Sequence, residues 1–441
     1  MINLKSHLLN FKHIGWKTLL LSMTLILLTS TITLAAAGDL DTTFGGDGKL
    51  TTDIGGGDET AYAIAIQTDG KIVVVGDHRE SGQRHRDFAV VRYKANGALD
   101  ITFSADGKVT TNIGASDTAR DVALQSDGKI VASGEICYGD GTICDLALAR
   151  YKSNGILDTT FSGDGKVTVN FPPHDNGSVG GLAIQPDGKI VVGGYMHNGV
   201  DYDFAIYRFN TNGSLDNTFS SDGKTSTGFG WQMHDTVYDL AIWSGKIIAF
   251  GQTCDYYQDH CDFALARYNP NGTPDTSFSG DGKVTTDLGG YEHGYAVSIQ
   301  SDGKIIAAGD SDGNTFGGFA LARYNTSGSL DTTFSGDGKL IKRFVSGFGG
   351  YATGLAIQSD GKIVVIGVTK NAIGSTHFGL ARIKINGALD TTFSSDGRLK
   401  TNFGGTSSGR AVAIQDNGKI VGVGEVNHYA DYDFALARYL P

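Results

Sequence analysis

The segment Leu40-Asp41-Thr42-Thr43-Phe44 recurs six more times along the chain, its closing phenylalanine returning as Phe103, Phe161, Phe219, Phe278, Phe334 and Phe393. Aspartate holds the second position of every copy: Asp41, Asp100, Asp158, Asp216, Asp275, Asp331 and Asp390. Successive phenylalanines are 59, 58, 58, 59, 56 and 59 residues apart. A fixed period of this size means an array of similar supersecondary units that bury their apolar faces against one another. Seven such units run from residue 40 to residue 441.

Within a unit the apolar residues alternate with period two, the signature of strands. The first unit predicts strands over residues 48–54, 61–67, 71–76 and 87–93. Thr68-Asp69-Gly70 joins the second to the third, and Asp-Gly between alternating runs predicts a tight primed hairpin turn. The fourth unit is one residue shorter there, Trp243-Ser244-Gly245, which predicts a tighter hairpin. The fourth strand is the most uniform: Asp87-Phe88-Ala89-Val90-Val91-Arg92-Tyr93 returns as Asp262-Phe263-Ala264-Leu265-Ala266-Arg267-Tyr268 and Asp433-Phe434-Ala435-Leu436-Ala437-Arg438-Tyr439.

Four antiparallel strands, repeated seven times with no helical pattern beyond the first residues, predict an all-β, seven-bladed β-propeller of four-stranded blades. A β-solenoid is the competing architecture, but its coils usually need fewer residues. With the strands of a blade lettered a to d from the axis outwards, the chain opens on an unpartnered d strand and stops after a c strand. Pairing residues 48–54 with 433–439 would complete the seventh blade and remove both free edges. The motifs Leu-Asp-x-Thr-Phe, Gln-x-Asp-Gly-Lys-Ile and Asp-Phe-Ala-Leu-Ala-Arg-Tyr, in this register, resemble the delta-60 repeat family of exported, mainly bacterial proteins. That resemblance covers residues 40–441; it implies a β-propeller and brings no catalytic residues with it.

Every c strand closes on an arginine: Arg92, Arg150, Arg208, Arg267, Arg323, Arg382 and Arg438. Sevenfold repetition suits blade packing better than a ligand site, which is usually unique on a protein, so these are expected to be structural, each bonded to a carboxylate or loop carbonyls. The Ser-Gly-Asp-Gly-Lys loops lack the dense Asp-x-Asp-x-Asp spacing of a calcium loop, and neither a metal site nor a cofactor is expected. Cys137 with Cys144 and Cys254 with Cys261 bracket the same b–c loop in units two and four, which predicts two local disulfides and an oxidising compartment.

The N-terminal residues agree with that compartment. Lys5, Lys12 and Lys17 precede an apolar run over residues 18–34 and the small Ala35-Ala36-Ala37, the layout of a cleaved signal peptide over residues 1–37. An uncleaved anchor is the rival, since the run approaches the roughly 20 residues of a spanning helix. Cleavage predicts a secreted or periplasmic chain, residues 38–441, with no membrane insertion and a single propeller domain, expected to be a monomer. It removes three lysines and no acid, so the net charge moves from −11 to −14. An acidic surface repels phosphate backbones and argues against nucleic acid as a partner. Cations, neutral sugars or basic proteins remain compatible with it.

Strand alternation sends the b–c and d–a loops to one face and the repeated turns to the other. What differs between units lies on the first face, and loops on a rigid scaffold are where binding groups concentrate. The nine histidines after residue 37 fall in these loops or at their borders, with Trp231 and several tyrosines. Trp231, His234, Tyr256, Tyr257, His293 and Tyr429 are the candidate contacts for an extracellular or envelope glycan or protein. The alternatives are a hydrolase or lyase acting on extracellular polymers from the same face, and a purely structural surface protein. No nucleophile elbow, zincin motif or phosphate loop appears.

Overall fold

The computed structural model describes residues 35–139, 143–170, 177–258, 260–312, 317–344, 349–371, 374–428 and 431–441. The expected leader up to residue 34 and the candidate Tyr429 lie outside them. Residues Ala37–Pro441 form one compact unit.

That unit is a ring of seven four-stranded antiparallel sheets, the seven-bladed propeller expected. The innermost strands are Gly57–Ile66, Ser116–Leu124, Ser178–Ile184, His234–Trp243, Glu292–Ile299, Gly350–Ile357 and Thr406–Ile414, one for each of blades 1 to 7. Blades 1 to 6 each take four consecutive strands, and the seventh is completed by the N-terminal strand Lys49–Thr52. It pairs antiparallel with the last strand, Lys49 opposite Ala437 through Thr52 opposite Phe434, so the expected closure holds.

The hairpins depart from expectation in one respect. Of Thr68, Asp69 and Gly70 only Gly70 has positive φ, 79°, so this is a three-residue loop with a left-handed glycine and not a primed turn. The primed geometry occurs in the shortened blade 4, where Ser244 (φ 49°) and Gly245 (φ 78°) are both left-handed and Trp243 pairs with Lys246.

The core lies between blades. Ile72, Val74 and Val91 of blade 1 pack with Val421, Val423, Phe434 and Leu436 of blade 7 around Phe44. All seven phenylalanines of the repeated segment are fully buried, each worth roughly 1.5–3 kcal/mol by area. Over each ring lies the arginine of the adjoining c strand, 4.6 Å away for Arg438 over Phe44 and 4.6 Å for Arg267 over Phe278. The same arginine bonds the aspartate of the segment: Arg267 Nε to Asp275 Oδ2 at 2.7 Å, with Nη1 reaching the Thr326 carbonyl of the next blade at 2.5 Å. Asp, Phe and Arg thus form one inter-blade clasp. Gly97 shows how tightly it is packed, since at φ 91° a Cβ there would stand 2.9 Å from the Phe44 ring.

Both expected disulfides form, Cys137–Cys144 and Cys254–Cys261, each between directly opposed residues of strands b and c.

Candidate ligand-binding site

Every inner strand carries a β-bulge at the same place. In blade 1 Ala61 pairs with Gly76 and Ala63 with Val75, leaving Tyr62 as the extra residue. The matching residues are Arg120, Tyr238, Tyr295, Thr353 and Arg410 in blades 2, 4, 5, 6 and 7, with Gly180-Gly181 in blade 3. The bulge drives a carbonyl into strand b, so the opposing residue must be glycine. A Cβ on Gly76 would meet the Thr60 oxygen at 1.8 Å, and on Gly424 the Ser408 oxygen at 1.9 Å. A bulge re-aims the side chain at the extra position, and in the six blades with a side chain there it is aimed at the axis, glycine leaving room in blade 3.

They line a cavity of about 570 Å³ where the inner strands converge, walled by Tyr62, Tyr238, Tyr295, Arg120 and Arg410 and by Tyr351, two residues before the blade 6 bulge. The guanidinium of Arg120 lies 4.7 Å over the Tyr62 ring and that of Arg410 lies 5.8 Å over it. Each arginine is held by a buried glutamate. Arg410 meets Glu425 in a bidentate pair, 2.8 and 3.0 Å, and Arg120 donates to Glu135 Oε1 from Nε at 3.1 Å and Nη2 at 2.5 Å. Burial works against the charge on both arginines, but the adjoining glutamates outweigh it and hold them above the usual guanidinium range. Tyr238 packs edge-on against Tyr295 at 5.5 Å, and Tyr295 approaches Tyr351 at 6.4 Å. Burial pushes the Tyr62, Tyr238, Tyr295 and Tyr351 phenols up, so they stay neutral hydroxyls able to donate and accept.

Two carboxyl groups reach the cavity wall, Asp121 and Asp239. Burial, with Asp239 adding its repulsion, pushes Asp121 up, and burial pushes Asp239 up too. Their oxygens are already committed. Asp121 accepts from the Val122 N–H at 2.7 Å and the Leu182 N–H at 2.6 Å; Asp239 accepts from the Leu240 N–H at 2.7 Å and the Val297 N–H at 2.8 Å. Each clamps one blade to the next. The cavity therefore offers aromatic faces, hydroxyls and charge-balanced guanidinium groups, and among the described residues that line it both carboxyl groups are bound to backbone N–H groups.

The loop residues singled out in the sequence fall into two groups and an outlier. His234 stacks with Tyr256 at 5.8 Å, Tyr256 meets Tyr257 edge-on at 5.4 Å, and Tyr202 joins the other side of His234 at 5.1 Å. This is an aromatic ladder over blades 3 and 4. His293 lies instead behind the cavity wall, stacked 6.1 Å from Tyr295. Trp231 stands apart at the blade 3 edge, 79% exposed, beside Phe229 and Lys283 in a shallow depression.

Tyr62, Arg120, Tyr295 and Arg410 were not anticipated from the sequence. The signal was present, however, as a glycine repeated inside strand b of all seven units, Gly76 through Gly424. Glycine inside a strand marks a bulge or a close backbone approach. The residue five before the hairpin Gln or Trp is then the one turned inwards.

Six segments of the chain match a family model described as a domain of unknown function (DUF5122) beta-propeller: residues 67–103, 125–161, 185–219, 244–278, 300–334 and 358–393. Each match ends on a phenylalanine of the repeated segment. No curated protein matches the sequence. Among solved structures the chain is similar to the polysaccharide lyase Uly1, at 12% identity and TM-score 0.50, over 86% of this chain and 89% of that one. It is also similar to a virginiamycin B lyase from Staphylococcus aureus crystallised with quinupristin, at 11% identity and TM-score 0.48, over 88% and 98%. At these identities the likeness is one of fold.

Proposed function

We propose that this β-propeller repeat protein is an exported binding module whose axial cavity takes the end of a neutral carbohydrate, the aromatic ladder of blades 3 and 4 extending the surface for the rest. The observation that carries this is the cavity wall itself. Four tyrosines, three of them directed inwards by bulges, surround a space of about 570 Å³, a volume in the range of small-molecule sites. Sugar rings present apolar faces to aromatic side chains and hydroxyls to groups that both donate and accept. The two arginines supply directed N–H groups while their glutamates cancel the net charge. Export is supported by the signal-peptide-like pattern of residues 1–37 in the sequence and by the two disulfides, and the delta-60 resemblance by the register of the matching segments.

A hydrolase or lyase at the same place would need a group that exchanges a proton with the ligand. The raised phenols and the backbone-committed Asp121 and Asp239 weigh towards binding. The test is a glycan array with the full secreted chain, followed by calorimetric titration of the best hit. Tyr62→Ala and Tyr295→Ala should each weaken binding at least tenfold and Tyr257→Ala less, with glycan structure intact after incubation. Affinity unchanged in both cavity variants would refute the axial site, and selective capture of an envelope protein that tolerates them would point to the loop face.

A further inference from the structure

Three carboxylates meet where the two ends of the chain close the ring. Asp53 follows the N-terminal strand, Glu59 lies on the inner strand of blade 1 and Asp433 on the last strand; one oxygen from each lies within 4.8 Å of the others. Glu59 is fully buried. Its Oε1 is bonded to His78 Nδ1 at 2.7 Å, while Oε2 is buried without a hydrogen-bond partner. The Ile54 N–H faces the carboxylate without closing a bond on that oxygen. Asp53 Oδ1 accepts from the Gly56 N–H at 2.6 Å. Lys108 is spent on the Asp53 backbone carbonyl, at 2.6 Å. Among the described residues, no lysine or arginine ion-pairs with any of the three carboxylates.

The same three positions recur at other blade boundaries and are satisfied differently there. Between blades 1 and 2 they are Asp87, Asn112 and Asp117. The Asn112 amide donates to Asp87 at 2.9 Å, and Asp117 Oδ2 accepts from the Ile113 N–H at 2.5 Å and the Gly114 N–H at 3.1 Å. Between blades 4 and 5 Asp262, Asp287 and Glu292 also gather. There Glu292 accepts from the Ser311 hydroxyl at 2.8 Å and the Leu288 N–H at 3.3 Å. Buried oxygens without a donor occur at two of these three sites, Glu59 Oε2 and Asp117 Oδ1, but only at the ring closure does the orphan belong to a cluster of three carboxylates, since Asn112 takes the third place beside Asp117.

We propose that Asp53, Glu59 and Asp433 bind a calcium ion that ties the N-terminal strand and blade 1 to the last strand. Calcium takes hard oxygen ligands at about 2.3–2.6 Å, so two ligands of one ion stand at most about 5 Å apart, and the cluster fits within that span. The ion supplies the counter-charge that asparagine makes unnecessary between blades 1 and 2. Because its ligands come from both ends of the chain, it binds only the closed ring and stabilises it by mass action.

The test is calorimetric titration of EDTA-treated full-length protein with CaCl2, paired with thermal unfolding in CaCl2 and in EDTA. The stoichiometry should fall by one in Asp433→Asn and in Glu59→Gln and stay unchanged in Asp262→Asn. Calcium should raise the unfolding midpoint by a few degrees in the wild type and in Asp262→Asn, and leave Glu59→Gln unmoved. In EDTA, Asp433→Asn should unfold at or above the wild-type temperature, since one repelling charge is gone. If that variant does not fold, the wild type and Glu59→Gln decide. No calcium uptake at millimolar CaCl2, or uptake that both substitutions leave intact, overturns the proposal.

Discussion

Arg438 Nε donates to Asp41 Oδ2 at 2.7 Å across 397 residues of sequence. The pair joins the last strand to the first copy of the repeated segment, and both side chains are buried, 5% and 4% exposed. In every other blade the equivalent arginine meets an aspartate that follows it within the same blade, eight residues on for Arg92 and Asp100. At the closure the same clasp is made by residues from opposite ends of the chain, so the ring is fastened by a repeat that the sequence splits in two.

Arg438→Ala should therefore destabilise the fold by about 3–5 kcal/mol, the usual cost of leaving one member of a buried pair uncompensated. Arg267→Ala should cost somewhat less, since Arg267 is the more exposed, at 12% against 5% for Arg438. Chemical unfolding followed by fluorescence would check both, and equal midpoints for variants and wild type would contradict the clasp.

Deleting residues 38–54 removes Asp41, Phe44 and the strand that covers Asp431–Tyr439. The uncovered strand is a free sheet edge, a template for intermolecular pairing. Size-exclusion chromatography should show aggregates. A truncated chain that elutes as a monomer with unchanged thermal stability would refute this.

Stability should peak in mildly acid solution. Asp41, Asp100, Asp158, Asp216, Asp275, Asp331 and Asp390 are all held below their usual range: burial opposes this, but Thr or Ser hydroxyls, backbone N–H groups and the neighbouring arginines and lysines prevail. A depressed folded-state pKa contributes stability above the unfolded value, 3.8 for aspartate, that is lost as pH falls below it. Glu59, pushed up to about 8 by burial and by Asp53 and Asp433, and Asp235, pushed up to about 7 mainly by burial, act in the opposite sense. Their unfolded forms ionise near pH 4 while the folded forms hold the proton, so they lower stability progressively between about pH 4 and 8. The unfolding temperature measured in EDTA should be highest near pH 4–5, and Glu59→Gln should flatten the decline above it. A maximum above pH 7 would refute the assignment.

Reducing either disulfide should loosen its own hairpin and leave the ring folded. The bridged residues are seven apart, a loop whose closure contributes on the order of 2–3 kcal/mol in the chain-entropy model. Cys254→Ala with Cys261→Ala should lower stability by that amount or less, read by calorimetry. Non-reducing peptide mapping that found Cys137 joined to Cys261 would contradict the pairing.

The architecture was legible in the sequence because it rests on local, repeated information. Period-two patterning, the seven copies of Leu-Asp-x-Thr-Phe and the c-strand arginines recur in register, and Lys49–Thr52 was visibly the strand that the last unit lacked. The matched cysteines likewise needed only their spacing. The candidate site was less legible. Sequence comparison favoured the loops that differ most between units, and the structure does join His234, Tyr256 and Tyr257 in one ladder. Yet Tyr62, Tyr295, Arg120 and Arg410 come from different blades: the strand b glycines mark where each inner strand bulges, but only the closed ring brings those positions to one cavity. The same holds for Asp53, Glu59 and Asp433, which only ring closure brings within 4.8 Å. Strand pairing follows from side-chain patterns along one unit; the convergence of seven units on an axis is a property of the closed ring, because only closure sets the distance between residues that share no strand.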